Sequence, residues 1–487
     1  MGRTWQVSLS ERIDPALPGP VYKQIIQAVI RDIESGRLVS GTYLPSSREL
    51  AGILGVNRKT VVLAYEDLIA QGWLTSSTTR GTMVAEALPE SGGRPRGRGG
   101  NSGKRAVAAS YAFRAPPSRP LSLPDGPGIK IDEGSPDGRL FPPELLVRAH
   151  RQAVLAAARA NGFRYRDPRG APELRRAISS MLKAQRGLQV TEQNICITRG
   201  SQNGIFLAGM ALLRPGDAVI VEALTYEPAV AAFEALGARI VPVALDEGGM
   251  DVEEVEAVCR REAVKAVFVT PHHQFPTTVA LRPDRRLQLI ELSRQFGFAI
   301  IEDDYDHEFH FESQPLLPLA AYAPGEVIYV GSLSKLLLPS LRIGYVAAPD
   351  RTIDALAHLV SLSDGMGNSI TEASAAILIE TGELRRHARK AKQIYASRRE
   401  NFAHTLETLL QDRATFAPPA GGLAFWVRFS GDMDRIEDRA AAAGLRFASS
   451  RSFMTRSDAP RGLRIGFASL DEAEADQAID LLARAVG

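Results

Sequence analysis

Apolar positions along the first ninety residues recur at helical spacing rather than in strand alternation. In VYKQIIQAVIRDIESG, Val21, Ile25, Ile26, Val29 and Ile33 fall on one face, and Gly36 closes the pattern. After Pro45, SSRELAGILG predicts a second helix, with Ser46 or Ser47 as N-cap and Leu50, Ile53 and Leu54 turned inward. Gly55 and Val56 make a turn, and NRKTVVLAYEDLIAQG predicts a third helix. WLTSSTTRGTMVA has β-type ends about a polar centre, the pattern of a two-stranded wing. Residues 10–85 therefore read as a winged helix-turn-helix. The next stretch contains SGGRPRGRGGNSGKR and then APPSRPLSLPDGPG, too poor in apolar residues to build a core, so residues 86–129 read as a flexible basic tether. From Ile131 onward, apolar runs such as NICIT, DAVIVE, AVKAVFVT, FAIIEDD and EVIYVGS alternate with helical stretches. That alternation predicts an α/β body over residues 130–487, a mostly parallel sheet covered on both faces.

A chain of 487 residues is too long for one core, and 45% hydrophobic with 23% charged residues excludes collagen-like, coiled-coil and wholly disordered classes. No apolar run approaches the roughly 18 to 20 residues of a membrane span, and MGRTWQVSLSERID lacks a signal-peptide core, so a cytoplasmic protein is expected. Two cysteines, Cys196 and Cys259, fit buried thiols rather than a disulfide framework or a structural zinc site. The net charge of +2 hides an uneven division. Residues 1–85 hold nine Lys/Arg against seven Asp/Glu, residues 86–129 hold seven against three, and the body is left with −4. A basic front on a mildly acidic body points to a polyanion at the N-terminal part.

Asn57, Arg58, Lys59 and Thr60 crowd the start of the third helix, where a recognition helix meets a major groove. Amide and guanidinium groups there can read base edges, while Lys59 and the helix N-terminus can hold phosphates. The segment LPSSRELAGILGVNRKTVVLAYEDLIAQGWL with RGTMV resembles the GntR-type winged-helix regulators. The resemblance implies DNA contacts from Arg48, Asn57, Arg58, Lys59, Thr60 and a wing tip of Arg80, Gly81 and Thr82. Val61 and Val62 stand where many relatives carry a further DNA-contacting arginine.

In the body, ligands of such a sheet sit at the C-terminal strand ends. Those ends carry Gly200-Ser201-Gln202, Tyr226, Asp303-Asp304-Tyr305 and Ser332-Leu333-Ser334-Lys335, followed by Arg342. One ligand explains the set: pyridoxal 5'-phosphate, an aromatic ring with a protonated nitrogen, a phosphate and an aldehyde. Lys335 supplies the Schiff-base amine and Asp303 pairs with the ring nitrogen. Arg342, Ser201, Ser332, Ser334 and the Gly200 to Gln202 amides hold the phosphate, Tyr226 stacks, and Tyr305 reaches the phenolic oxygen.

Through FRYRDPRGAPELRRAI, TRGSQNGI, EALTYEP, IIEDDYDHEF, SLSKLLLPSLRIGY and GLRIGF, the body resembles fold-type I aminotransferases. The resemblance implies a large and a small lobe, Lys335, Asp303 and Arg342 in the roles just given, and Tyr165 as a phosphate contact from the neighbouring subunit, hence a homodimer. It also makes Arg464 the arginine that grips an α-carboxylate. One departure stands out: HHQFPTT places Phe275 where many of these enzymes have an asparagine bonding the phenolic oxygen, so either His273 or Gln274 substitutes or the bond is missing. His272 and His273 have no carboxylate or third histidine at metal-ligand spacing, so no metal is expected. Winged helix and body together resemble the MocR subfamily of GntR-type regulators, which includes the GabR, PdxR and TauR types. That resemblance implies a head-to-tail dimeric transcription factor on double-stranded DNA, sensing pyridoxal phosphate or an amino compound, with slow half-transamination allowed. The rival expectation is an aminotransferase with an accessory DNA-binding domain.

Overall fold

A computed structural model describes residues 13–14, 19–77, 81–88, 111–112, 127–312 and 316–487. The chain divides into two compact units, Met1–Arg114 and Ala115–Gly487.

The first unit is built from α1 (Val21–Glu34), α2 (Ser47–Leu54), α3 (Arg58–Ala70), β1 (Leu74–Ser77) and β2 (Gly81–Val84). Ile25, Ile26, Val29 and Ile33 of α1 are buried, as their spacing requires. Ser46, not Ser47, caps α2: its side chain accepts the Glu49 amide at 3.2 Å. Gly55 ends α2 at φ 65°, a left-handed turn that a side chain would strain. Ile53 departs from expectation, because α2 packs through Leu50 and Ala51 and leaves Ile53 on its exposed flank. α3 buries Val61, Ala64, Tyr65 and Leu68, and the Tyr65 hydroxyl donates to the Pro45 carbonyl at 2.8 Å, tying α3 to the start of α2. β1 and β2 pair antiparallel from Leu74↔Val84 to Ser77↔Gly81, which is the wing.

The second unit is centred on a seven-stranded sheet. Its strands are β3 (Ile195–Thr198), β4 (Ala218–Glu222), β5 (Arg239–Val243), β6 (Val264–Val269), β7 (Ala299–Asp304), β8 (Val327–Ser332) and β9 (Gly344–Ala347), in the order β3-β9-β8-β7-β6-β4-β5. Only β9 runs antiparallel to its neighbours. Side chains alternate between two cores, one on each face. Ile195, Ile197, Val267 and Tyr329 enter one, and Cys196, Phe268, Ile328 and Val330 the other. Both cysteines are free and buried, and burial pushes the Cys196 thiol up to about 12. A smaller lobe follows the long helix Glu383–Leu410 and holds an antiparallel sheet of β10 (Ala414–Thr415), β11 (Ala424–Phe429) and β12 (Leu463–Gly466). It has its own core, in which Phe402, Phe425 and Phe467 pack as rings 5.3 to 6.4 Å apart. Among the described residues, no helix is long and apolar enough to cross a membrane.

Candidate functional site

The C-terminal ends of β4, β7 and β8 open onto a cavity of about 280 Å³ lined by Lys130, Asp132, Glu133, Ser135, Ser201, Tyr226, Phe275, Asp303, Tyr305 and Lys335. Lys335 sits on the turn after β8, and its Nζ donates to the Gly134 carbonyl at 2.7 Å. Burial lowers its pKa, favouring the neutral, nucleophilic amine, although Asp132 and Asp306 oppose the shift. Asp303 is the penultimate residue of β7 and is 4% exposed, and among the described residues its Oδ1 has no hydrogen-bond partner. An unpartnered buried carboxylate oxygen is costly, so its place in a cavity wall marks a position for a donor.

Burial, together with Asp304 and Asp306, pushes Asp303 up to about 8. Burial does the same to Glu222, up to about 8, and to Glu302, up to about 7. Each of these acids holds its proton in the folded chain at pH values where the unfolded chain has released it. Their contribution to stability is therefore present below the ordinary carboxylate range and lost as pH rises through the folded values. The melting temperature of the cofactor-free protein is expected to fall more steeply between about pH 5 and pH 8 than that of Asp303→Asn. Calorimetry across that range would show it; equal slopes for the two proteins would contradict the burial of Asp303.

The end of the cavity at α4 (Ser201–Leu212) is a helix N-terminus. Its N-cap, Gly200, has φ 81°, and a Cβ there would lie 2.9 Å from Nη2 of Arg342, so only glycine lets the arginine lie against the turn. Arg342 donates to the Arg199 carbonyl at 2.8 Å, and Ser332 Oγ accepts the Ser334 amide at 3.0 Å. Ser201 reaches the cavity wall, whereas the Gln202 side chain turns away to the Pro228 carbonyl at 2.7 Å and leaves only its backbone amide at the helix start. The loop, helix N-terminus and nearby guanidinium form an anion cradle. Tyr165 is 94% exposed and lines no wall of this cavity within its own chain.

Aromatic side chains close the opposite wall. Tyr226 meets Phe275 edge-on at 5.2 Å, and the Arg464 guanidinium lies 4.5 Å over the Phe275 ring. Arg464, on β12, is 2% exposed and stands behind this wall. Its Nε donates to the Glu133 carbonyl and its Nη1 to the Pro276 carbonyl, both at 2.8 Å, and its Nη2 donates to the Tyr305 hydroxyl at 3.2 Å. The Tyr305 hydroxyl itself donates to the His273 carbonyl at 2.8 Å.

Two expectations need correction. His273 does not face the cavity: its Nδ1 lies 2.7 Å from Asp306 and its Nε2 3.3 Å from His310, because the turn after β6 directs it toward the small lobe. Gln274 is equally committed, donating to Glu222, Leu224 and Phe275 at 2.7 to 2.9 Å. Neither replaces the missing asparagine. The fold also brings His272, Asp304 and His307 within 4.8 Å of one another, a grouping that sequence spacing did not reveal because His272 follows β6 while the other two follow or end β7. Arg186, fully buried, lies 3.5 Å from Asp304, so the carboxylate is already neutralised by a fixed cation. Although burial favours protonation, His307, His272 and Arg186 hold Asp304 well below the usual carboxylate range. The fold thus supplies the carboxylate and second histidine that spacing did not show beside His272, and with Arg186 against Asp304 the cluster reads as a buried ion-pair support under β7.

Sequence reasoning also missed the wall segment Lys130 to Ser135, whose strand at Ile129–Lys130 is two residues long and gives no periodic signal.

In the first unit, Arg48, Arg58 and Lys59 are exposed and Thr60 is half-buried. Asn57 is the N-cap of α3, its Oδ1 accepting the Lys59 amide at 2.9 Å, so its side-chain amide N–H groups are what remains for a base or phosphate. Arg58 Nε lies 3.4 Å from Ser47 Oγ, which holds the guanidinium at the α2–α3 junction. Gly81 and Thr82 lie in β2 at the wing, and Arg80 lies outside the described residues. Val61 is wholly buried in the unit's core, so this position cannot present a side chain to DNA.

Comparison with known proteins adds three findings. The family described as "Aminotransferase class I and II" matches residues 127–482, and "Bacterial regulatory proteins, gntR family" matches residues 21–84. Over 95% of its length the chain is 29% identical to the "Probable rhizopine catabolism regulatory protein MocR" of Rhizobium meliloti, covering 93% of that protein. It is 30% identical to the HTH-type transcriptional regulator TauR of Rhodobacter capsulatus, with 97% of this chain and 98% of that one covered. Among solved structures, kynurenine aminotransferase of Pyrococcus horikoshii, in a complex with PMP, matches 74% of this chain and 91% of its own, with TM-score 0.68 and 28% identity.

Proposed function

We propose, from the premise that this chain belongs to the class I and II aminotransferase family and carries a gntR-family head, that it is a transcriptional regulator controlled by pyridoxal 5'-phosphate chemistry in its body. The observation that carries this reading is the meeting of Lys335 Nζ and the unpartnered Asp303 Oδ1 in one cavity, on a chain whose other unit exposes Arg48, Arg58 and Lys59. The residues fit the cofactor. Asp303 offers an acceptor for a protonated ring nitrogen, Tyr226 a face for the ring, and Lys335 the amine for the aldehyde. Gly200, Ser201, Ser332, Ser334 and Arg342 offer the phosphate cradle, with Tyr165 of a second copy as a further contact in a homodimer. When bound, pyridoxal phosphate supplies a carbonyl that condenses with primary amines and a ring that withdraws electrons from them.

This chain's residues then do three things. Asp303, by becoming charged beside a cationic ring nitrogen, holds the proton there. Phe275 and Tyr305 shield Arg464 from water and keep its guanidinium against their rings. Arg464 fastens β12 of the small lobe to Pro276, Tyr305 and Glu133 beside the large-lobe cavity, so an amino-acid carboxylate that recruits this arginine must exchange those bonds and move one lobe against the other. A ligand shifts DNA binding only through such a difference between two arrangements. With Phe275 in the wall and His273 and Gln274 committed elsewhere, none of these three would offer a donor to the cofactor's phenolic oxygen, which suits a sensor better than a rapid transaminase.

Footprinting of the DNA upstream of the protein's own gene, at fixed salt and with or without pyridoxal phosphate, tests the reading. Protection that changes with cofactor alone makes the cofactor the signal, and protection that changes only on adding an amino compound makes the cofactor a fixed reagent. Absence of protection under both conditions would return the lead to an aminotransferase with an accessory head.

A further inference from the structure

The cavity wall contains one carboxylate that neither the cofactor cradle nor the fold uses. Asp132 is consumed by its own loop: Oδ1 accepts the Gly134 and Ser135 amides at 2.8 and 2.6 Å, and Oδ2 accepts the Ser469 hydroxyl at 2.8 Å. Asp303 is committed to the ring nitrogen. Glu133 lines the same cavity, yet among the described residues its carboxylate accepts no hydrogen bond and forms no ion pair. Its backbone is nevertheless held, because Arg464 Nε donates to the Glu133 carbonyl at 2.8 Å. Burial, with Asp132, raises its pKa against the pull of Arg464, Lys335 and Lys130. Lys130, the other charged wall residue on this segment, is exposed.

A half-buried carboxylate with no side-chain hydrogen bond, carried on a fixed backbone beside the amine-reactive lysine, discriminates by charge. A cationic group on the ligand relieves it, a neutral group leaves it as it was, and a second carboxylate is repelled. We infer that Glu133 selects the effector, which is a small primary amine bearing a second cationic group: a diamine or a diamino acid. The cavity limits its size, because about 280 Å³, at the low end for small-molecule sites, must hold the cofactor as well. This inference rests on the reading of the cavity as an amine-receiving cofactor site.

The test uses full-length protein loaded with pyridoxal phosphate, wild type and Glu133→Gln, titrated with putrescine, ornithine, alanine and glutamate. Cofactor absorbance and calorimetric heat are both followed, and melting temperature reports the fold. In the wild type, putrescine or ornithine is expected to half-saturate at least roughly tenfold below alanine, with glutamate weakest, as one charge-assisted hydrogen bond allows. In Glu133→Gln the ratio to alanine should collapse toward about 1 and glutamate should gain. A preference for ornithine over putrescine would assign Arg464 a carboxylate as well, and the reverse would identify a diamine. If alanine or glutamate binds as well as both diamino probes in the wild type, or the ratio survives the substitution, Glu133 is not the selector. A cofactor-loaded protein in which no amine alters absorbance or heat overturns the underlying reading of the site along with the inference.

Discussion

A Lys335→Ala variant is expected to bind operator DNA but to give the same footprint with and without an amine effector. Lys335 is the amine at the inner end of the cavity, lowered in pKa by burial, whereas the other lysine of the wall, Lys130, is exposed. Alanine removes the amine with which the cofactor's carbonyl would pair, so an incoming amine would meet a free carbonyl and would release no lysine, removing the difference that exchange at Lys335 supplies. The reading head is a separate compact unit with its own core around Val29, Leu50, Val61 and Leu68, so the substitution leaves its fold intact. The decisive comparison is the effector-induced change in protection at fixed salt: large in wild type and absent in the variant. An undiminished response in Lys335→Ala would remove covalent sensing from the account.

The second large effect belongs to α3. Arg58→Ala combined with Lys59→Ala is expected to weaken operator binding roughly 100-fold at physiological salt, since a lost base or phosphate contact of this kind costs about 1 to 3 kcal/mol. The two singles should differ in kind. Lys59 is exposed next to the α3 N-terminus and suits a phosphate, so Lys59→Ala should weaken all sequences alike and flatten the salt dependence by about one unit of slope. Arg58, held near Ser47 at the junction of the two helices, suits a base edge, and Arg58→Ala should relax sequence preference. Titrations of operator and unrelated DNA over a salt series separate these outcomes. Asn57→Ala would mix two effects, because the same side chain caps α3 and its loss costs helix stability of about 1 kcal/mol.

Much of both units was legible from periodicity and turn residues. The α1 face of Ile25, Ile26, Val29 and Ile33 is buried as read, and the five apolar runs became five buried strands of one sheet. Local signals sufficed there because a strand or helix buries a face that repeats along the chain. The Gly200 turn was legible for a related reason: glycine before a polar helix start reports a backbone that only glycine adopts. Short-range patterns were weaker at flanks. Ile53 lay at helical spacing from Leu50, yet an eight-residue helix buries only its contact line.

The sequence by itself determined the helices of the head, five strands of the body's central sheet, where those strands end, and which of those ends carry a lysine, an acid and a glycine turn, since each of these is written within a few neighbouring residues. Tertiary structure alone decided which of those groups meet. It turned His273 and Gln274 away from the cavity, set Arg464 behind Phe275 from more than 180 residues downstream, drew Asp304 into a cluster with Arg186 and His272, and brought Glu133 into the cavity wall with, among the described residues, no hydrogen bond to its carboxylate. The reason is physical: orientation at a site is fixed by hydrogen bonds and charges between segments far apart in sequence, and no local pattern records which of several possible partners a buried polar group will take.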